Sequence, residues 1–171
     1  MKHDRSSVES GRRGAAAHAT ENGHVADLLN VLLADEFVLY VKTLNYHWNV
    51  RGMQFHSLHA FLEEHYGALL QIADDVAERI RTVGGTPMGS MAEFLKATGL
   101  QEHRGESPDP KTMLSKLAAD HAAILDRLRE DVGRLEEKHD DPGTCNFLTD
   151  LLEKQEKLAW MVRTHLDLDV H

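Results

Sequence analysis

Residues 55–85 read FHSLHAFLEEHYGALLQIADDVAERIRTVGG, and their spacing decides both the fold and the kind of site it carries. The stretch is unbroken from about Phe55 to Val83 and stopped by Gly84-Gly85, so it predicts one long helix. His59 and Glu63 are four residues apart, as are Asp74 and Glu78, and each pair therefore shares a helical face. From His59 to Asp74 is 15 residues, roughly 22 Å along the axis and about 60° around it. The four side chains lie on nearly one stripe whose two ends cannot reach a common ion. If they build one site, a second copy of the helix must bring the other half. The geometry predicts a metal site split across a two-fold dimer interface.

The rest of the chain predicts a helical bundle around that helix. Val25, Leu28, Leu29, Leu32, Leu33, Phe37, Tyr40, Val41 and Leu44 recur at helical spacing, giving an amphipathic helix from about His24 to Asn49, broken by Arg51-Gly52. Ser90 and Glu93 have the form of a capping box opening a short helix that ends at Gly99. Asp109-Pro110 starts a third long helix reaching about Lys138, with Asp at the cap and Pro in the first position. Asp140-Asp141-Pro142-Gly143 turns the chain into a fourth, from about Thr144 to Leu168. The linker between helices two and three is about 26 residues long, beyond the usual helix–helix connection. It allows a crossover, and its short helix is expected at a subunit interface. Residues 1–23 lack apolar periodicity and are expected to be a flexible tail, leaving residues 24–171 as the bundle.

Composition narrows the function. A chain of 171 residues is one domain. It has no apolar run of about 18 residues, and its start lacks the hydrophobic centre of a signal peptide. Cys145 is the lone cysteine, which excludes an internal disulfide framework and a thiolate cluster and fits a reducing cytoplasm. Net charge is −9, from 28 acidic against 19 basic residues. Such a surface suits the gathering of cations better than the binding of nucleic acid. Twelve histidines is a high count, and most are expected to be solvated or structural.

Imidazole and carboxylate without thiolate suit iron, zinc or manganese. His47, His59, Glu63, Asp74 and Glu78 supply two nitrogens and several oxygens, enough for one or two divalent ions. Singly, each reads as a solvated face or a satisfied core group; five together on facing helices favour the site. An intrasubunit di-iron site would need two Glu-x-x-His pairs at the centre of a bundle. Glu21…His24 and Glu136…His139 have that spacing, but they fall at a tail junction and a helix end.

The stretch Asn45-Tyr46-His47-Trp48-Asn49-Val50-Arg51-Gly52, followed by Phe55…Leu58-His59 and Asp74…Ala77-Glu78-Arg79…Gly84-Gly85, resembles the Dps family (DNA-binding protein from starved cells). Glu156-Lys157…Ala159-Trp160-Met161-Val162-Arg163 is similar to its last helix, and the likeness covers roughly residues 25–168. The resemblance implies an all-α, ferritin-like four-helix bundle with a short extra helix between helices two and three. It implies a hollow homo-oligomer, a dodecamer, that oxidises Fe²⁺ with H₂O₂ or O₂ and stores the ferric mineral inside. It places His47, His59 and the carboxylate four residues later on one subunit, and Asp74 and Glu78 on its partner. The family usually has Asp where this chain has Glu63, and the extra methylene moves the oxygens by about 1.5 Å.

Further candidates are weaker. His165 on the last helix is a candidate ligand, against its plain reading as a helix-end imidazole near the C-terminal dipole. His56 and His65 stand off the ligand stripe and read as supporting or surface groups. Trp48 reads as core rather than as a redox partner. Glu64 is a candidate for mineral nucleation. Glu137, Asp141 and Asp150 fall near the segment that resembles the family's three-fold pore, where Asn146 replaces an expected aspartate. Two functions follow: a cytoplasmic ferroxidase and iron store that protects DNA from oxidative damage, or a nucleoid-associated, DNA-compacting scaffold. The tail weakens the second, since Lys2, Arg5, Arg12 and Arg13 against Asp4, Glu9 and Glu21 leave it only +1.

Overall fold

The computed structural model describes the backbone of residues 5–138 and 141–167 and the side chains of residues 23–137 and 141–166. Its elements are α1 (Arg5–Asn49), α2 (Phe55–Thr82), α3 (Met91–Ala97), α4 (Pro110–Lys138) and α5 (Pro142–Asp167), with no strand among the described residues. Helical backbone in α1 begins at Arg5, well before the expected His24. Residues 5–22 lack proline and hold four alanines and three arginines, residues that favour helix even without an apolar face. Residues 1–4 of the expected tail and 168–171 of the expected bundle lie outside the described residues.

Local chemistry sets the helix ends. At the end of α2 the N–H of Gly84 donates to the Arg81 carbonyl at 3.0 Å and that of Gly85 to the Ile80 carbonyl at 2.8 Å. Gly84 has φ +86°, the left-handed conformation this double closure requires. The capping box of α3 is present in full: Ser90 accepts from the Glu93 N–H while Glu93 accepts from the Ser90 N–H. Asp109 caps α4, accepting from the Thr112 N–H at 3.1 Å. Asp141 repeats the arrangement at α5, accepting from the Thr144 N–H at 2.9 Å with Pro142 in the first turn. The Asp-Pro signature thus starts two helices, and α5 begins two residues earlier than expected.

The helices pair as α1 with α2 and α4 with α5, with α3 lying on α1 and little contact between α2 and α5. Leu29, Leu32, Leu39, Tyr46, Leu62, Leu69, Leu117, Ile124 and Leu128 fill the centre, each at most 1% exposed. The crossover between α2 and α4 is pinned to α1 by buried polar groups. Asn30 donates to the Thr86 carbonyl and accepts from the Met88 N–H. Asp35 accepts from Thr98 Oγ1, the Gly99 N–H and Arg127 Nε, each at 2.7 Å. Phe94 of α3 stacks on Phe37 at 4.4 Å between centroids. The outer face of α3 leaves Met91 and Leu95 exposed in the single chain.

Candidate metal centre

His47 lies in the last turn of α1 and His59 in the second turn of α2, on either side of the Arg51-Gly52 break. The last four carbonyls of a helix lack intrahelical partners, and His47 owns one of them. His59 Nδ1 sits 2.9 Å from that carbonyl oxygen, and His47 Nδ1 sits 2.9 Å from the carbonyl oxygen of His59. A carbonyl only accepts, so both bonds require the proton on Nδ1. Each neutral imidazole then keeps its Nε2 lone pair, the form in which histidine binds a metal, with the other nitrogen oriented by the backbone. The rings stack with centroids 3.8 Å apart and planes at 22°. Tyr66 meets His47 edge-on at 5.2 Å, and Phe55 lies 5.0 Å from His59. His47 is buried and His59 half-buried.

Glu63 follows His59 by one turn and is exposed in the single chain. Asp74 and Glu78 are exposed further along α2. α2 is continuous from Phe55 to Thr82, so the spacing of roughly 22 Å between His59 and Asp74 stands. One subunit brings His47 and His59 together, with Glu63 one turn along α2 from His59, and leaves Asp74 and Glu78 apart. Among the described residues no three His, Cys, Asp or Glu side chains converge on a common point within one chain.

The remaining candidates divide. His165 donates Nδ1–H to the Met161 carbonyl at 2.8 Å and packs on Phe61 with ring centroids 4.1 Å apart. Phe61 is two residues from His59, about 200° around α2, so within one subunit His165 lies away from the histidine pair. His56 is exposed, as expected of a surface group. Glu64, Glu137 and Asp150 are exposed. Asp141 is engaged: Arg79 Nη2 pairs with it at 3.1 Å, and Thr144 bonds it through both N–H and hydroxyl. Partial burial would raise its pKa, but the Thr144 bonds and the Arg79 guanidinium outweigh it and hold the carboxyl below its ordinary range. Trp48 corrects an expectation. It is 67% exposed rather than core, because it stands one residue, about 100°, from the buried His47 on the last turn of α1.

His65 stands off the ligand stripe as expected, but it corrects the surface reading because it is buried. It is 2% exposed and its Nε2 lies 2.8 Å from Nε2 of His121. His121 Nδ1 donates to Gln155 Oε1 at 2.8 Å, and Gln155 Nε2 donates to both oxygens of Glu36 at 2.7 Å. Each long helix thus gives one buried polar side chain to a single chain of hydrogen bonds. Burial pushes the Glu36 carboxyl up to about 8 and holds the imidazoles of His65 and His121 down at about 3 and about 4. Sequence reasoning missed Glu36, His121 and Gln155. The available signal was a polar residue on an apolar stripe, Glu36 among Leu29, Leu32, Leu33 and Leu39.

The ferritin-like domain family matches residues 26–169. A low temperature-induced protein of Nostoc sp. is 46% identical over 143 residues, 84% of this chain and 80% of its own length. The DNA protection during starvation protein 2 of Bacillus anthracis is 35% identical over 147 residues, 85% of this chain and 99% of its own. The Dps protein of Vibrio cholerae O1, described as a member of a broad superfamily of ferritin-like diiron-carboxylate proteins, superposes with a TM-score of 0.81. It is 37% identical, with 86% of this chain and 91% of that one covered. The helical order, the short helix in the crossover and these matches agree, and the chain belongs to the Dps family of ferritin-like proteins.

Proposed function

We propose that this protein detoxifies and stores iron: a closed oligomer of about twelve copies oxidises Fe²⁺ with hydrogen peroxide at inter-subunit sites and keeps the ferric product as mineral. The crosswise bond of His47 and His59 carries this reading, because it holds two imidazoles in their metal-binding form one turn before the Glu63 carboxylate, on a helix whose matching carboxylates lie too far away to serve the same subunit. His47, His59 and Glu63 of one subunit face Asp74 and Glu78 of the other across a two-fold axis. Carboxylate oxygens are hard, anionic ligands that favour Fe³⁺ over Fe²⁺. Two Fe²⁺ each give up one electron, the O–O bond of one peroxide breaks, and both oxygens reach the oxidation level of water. No hydroxyl radical leaves the site. Zinc and manganese fit the same donors and act as competitors.

DNA protection then comes from removing Fe²⁺ and peroxide rather than from compaction, consistent with the net charge of −9. No helix among the described residues is long and apolar enough to cross a membrane, and the lone cysteine fits the cytoplasm. The test is anaerobic addition of Fe²⁺ and H₂O₂ to the purified oligomer, following ferric absorbance, residual peroxide and a spin trap. Two Fe²⁺ consumed per peroxide with the spin trap silent is expected. A one-to-one ratio with radical adducts, or a stable monomer by light scattering, overturns the proposal.

A further inference from the structure

The groove between α2 and α5 lies on the far side of α2 from the histidine pair. Its residues Phe61, Ala68 and Ile72 centre roughly 150° around the helix from the stripe of His59, Glu63, Asp74 and Glu78. Fixed contacts bracket it. At one end Arg79 holds Asp141 and Thr144, and at the other Phe61 packs on His165. Between them the two helices stand apart and leave a cavity of about 440 Å³, within the range of small-molecule sites. Phe61, Ile72, Leu158 and Met161 give it apolar walls.

His65, which lines this groove, carries a buried polar atom with no hydrogen bond among the described residues. Gln155 turns its nitrogen to Glu36 and its oxygen to His121, so His121 must donate from Nδ1. The Nε2 of neutral His121 is then an acceptor, and His65 must donate to it from Nε2. That leaves His65 Nδ1 as a lone pair on a ring that lines the groove and is 2% exposed, with no hydrogen bond among the described residues. A buried acceptor left without a donor is unfavourable, so an occupant that donates to it is favoured. At the rim, Lys154 pairs with Asp75 at 3.4 Å, whereas Lys157 makes no ion pair among the described residues. Glu64 and Asp75 stand on the α2 wall opposite the two lysines of α5, and with Asp75 taken by Lys154 it is Lys157 that remains for an anionic end. An apolar ring, a hydroxyl donor and an anionic end match the walls, His65 Nδ1 and Lys157 in turn.

We propose that this groove is a binding site for a small phenolic carboxylate, separate from the iron site, with the phenol O–H donated to His65 Nδ1 and the carboxylate held by Lys157. The probe is 4-hydroxyphenylacetate, titrated calorimetrically into the assembled wild-type protein, with phenylacetate as the analogue lacking the donor. One molecule of the hydroxylated probe per subunit is expected, and about tenfold weaker binding of phenylacetate, since that analogue leaves the buried nitrogen unpaired. Lys157→Glu should weaken both probes. His65→Phe should bring the hydroxylated probe down to the level of phenylacetate. Because that change also strips a partner from His121, Ala68→Trp provides a variant that fills the groove without touching the hydrogen-bonded chain; it should abolish binding at an unchanged melting temperature. Equal affinity of the two probes, no binding of either at millimolar concentration, or full binding by the folded Ala68→Trp protein overturns the proposal.

Discussion

His47 and His59 hydrogen-bond crosswise, each Nδ1–H donating to the other's backbone carbonyl at 2.9 Å with the rings stacked at 3.8 Å. The pair closes the end of α1 against the start of α2 and in the same act sets both tautomers. Structure and chemistry are joined in one contact, and substitution can part them.

His59→Ala should lose both. Removal of the ring leaves the His47 carbonyl without its donor, costing about 1 kcal/mol, and takes a nitrogen from the proposed iron site, slowing peroxide-driven oxidation on the order of 100-fold. His59→Asn keeps an N–H close to the position of Nδ1 but has no lone pair where Nε2 stood. It should recover most of the melting temperature and none of the activity. Thermal scans and ferric absorbance on the two variants separate the roles; activity in the asparagine variant would remove His59 from the ligands.

Asp35 anchors the crossover with three short hydrogen bonds to a carboxylate that is 2% exposed. Asp35→Ala strands the Gly99 N–H, the Thr98 hydroxyl and the Arg127 guanidinium at once. Breaking one partner of a buried charge pair costs about 3–5 kcal/mol, and Arg127 is a third exposed, which places the loss near the lower figure. Urea denaturation should show it as a shift in midpoint with an unchanged slope. A shift below about 1 kcal/mol would mean that α3 is held by the stacking of Phe94 on Phe37 alone.

Glu36 makes stability depend on pH in a stated direction. Its carboxyl is raised from 4.5 to about 8, chiefly by burial. Between those values the folded chain holds a proton that the unfolded chain has released, so stability falls as pH rises from about 4.5 and levels off above about 8. His121 acts oppositely on the acid side. Its pKa falls from 6.5 to about 4 on burial, so its contribution is present above 6.5 and lost as pH drops toward 4. Glu36→Gln keeps an acceptor for Gln155 and deletes the alkaline loss. The variant should melt above wild type at pH 8, by roughly 2–4 kcal/mol in stability, with the difference closing near pH 5. Parallel pH profiles for the two proteins would show that Glu36 is ionised in the core.

The fold was legible because its signals are local. Apolar spacing from Val25 to Leu44, the Ser90 and Glu93 box, Asp109-Pro110 and Gly84-Gly85 each act within a turn or two of themselves. The histidine pair was legible as residue types and as spacing along the chain. Its crosswise bonds were not, because they depend on how tightly Arg51-Gly52 folds α1 back on α2. The core quartet was less legible still. Glu36, His65, His121 and Gln155 are spread over 120 positions, and only packing of four helices at one level makes them neighbours. Trp48 shows the reverse error, a residue type that favours the interior placed by one step of helix on the outside.

DNA binding should be weak at neutral pH and physiological salt. His3 and His18 gain positive charge as the pH falls and add it to residues 1–23, which otherwise net +1. Any gel shift at low pH should vanish when residues 1–23 are deleted, with iron oxidation intact. Equal retardation with and without those residues would place the contact on the bundle.

The proposed sharing of each iron site between two subunits gives the most decisive prediction. His59→Ala and Asp74→Ala should each be inactive, from opposite sides of the interface. A mixed dimer of the two has two sites. One inherits both defects. The other takes His47, His59 and Glu63 from the Asp74→Ala chain and an intact Asp74 and Glu78 from the His59→Ala chain, and is whole. Random pairing makes half the dimers mixed, each with one whole site of two, so co-refolding two inactive proteins should restore roughly a quarter of wild-type activity. Native mass spectrometry counts the mixed dimers independently of the assay. If they are present and oxidation stays at the level of the single variants, the ligands act within one subunit, and the spacing along α2 has another explanation.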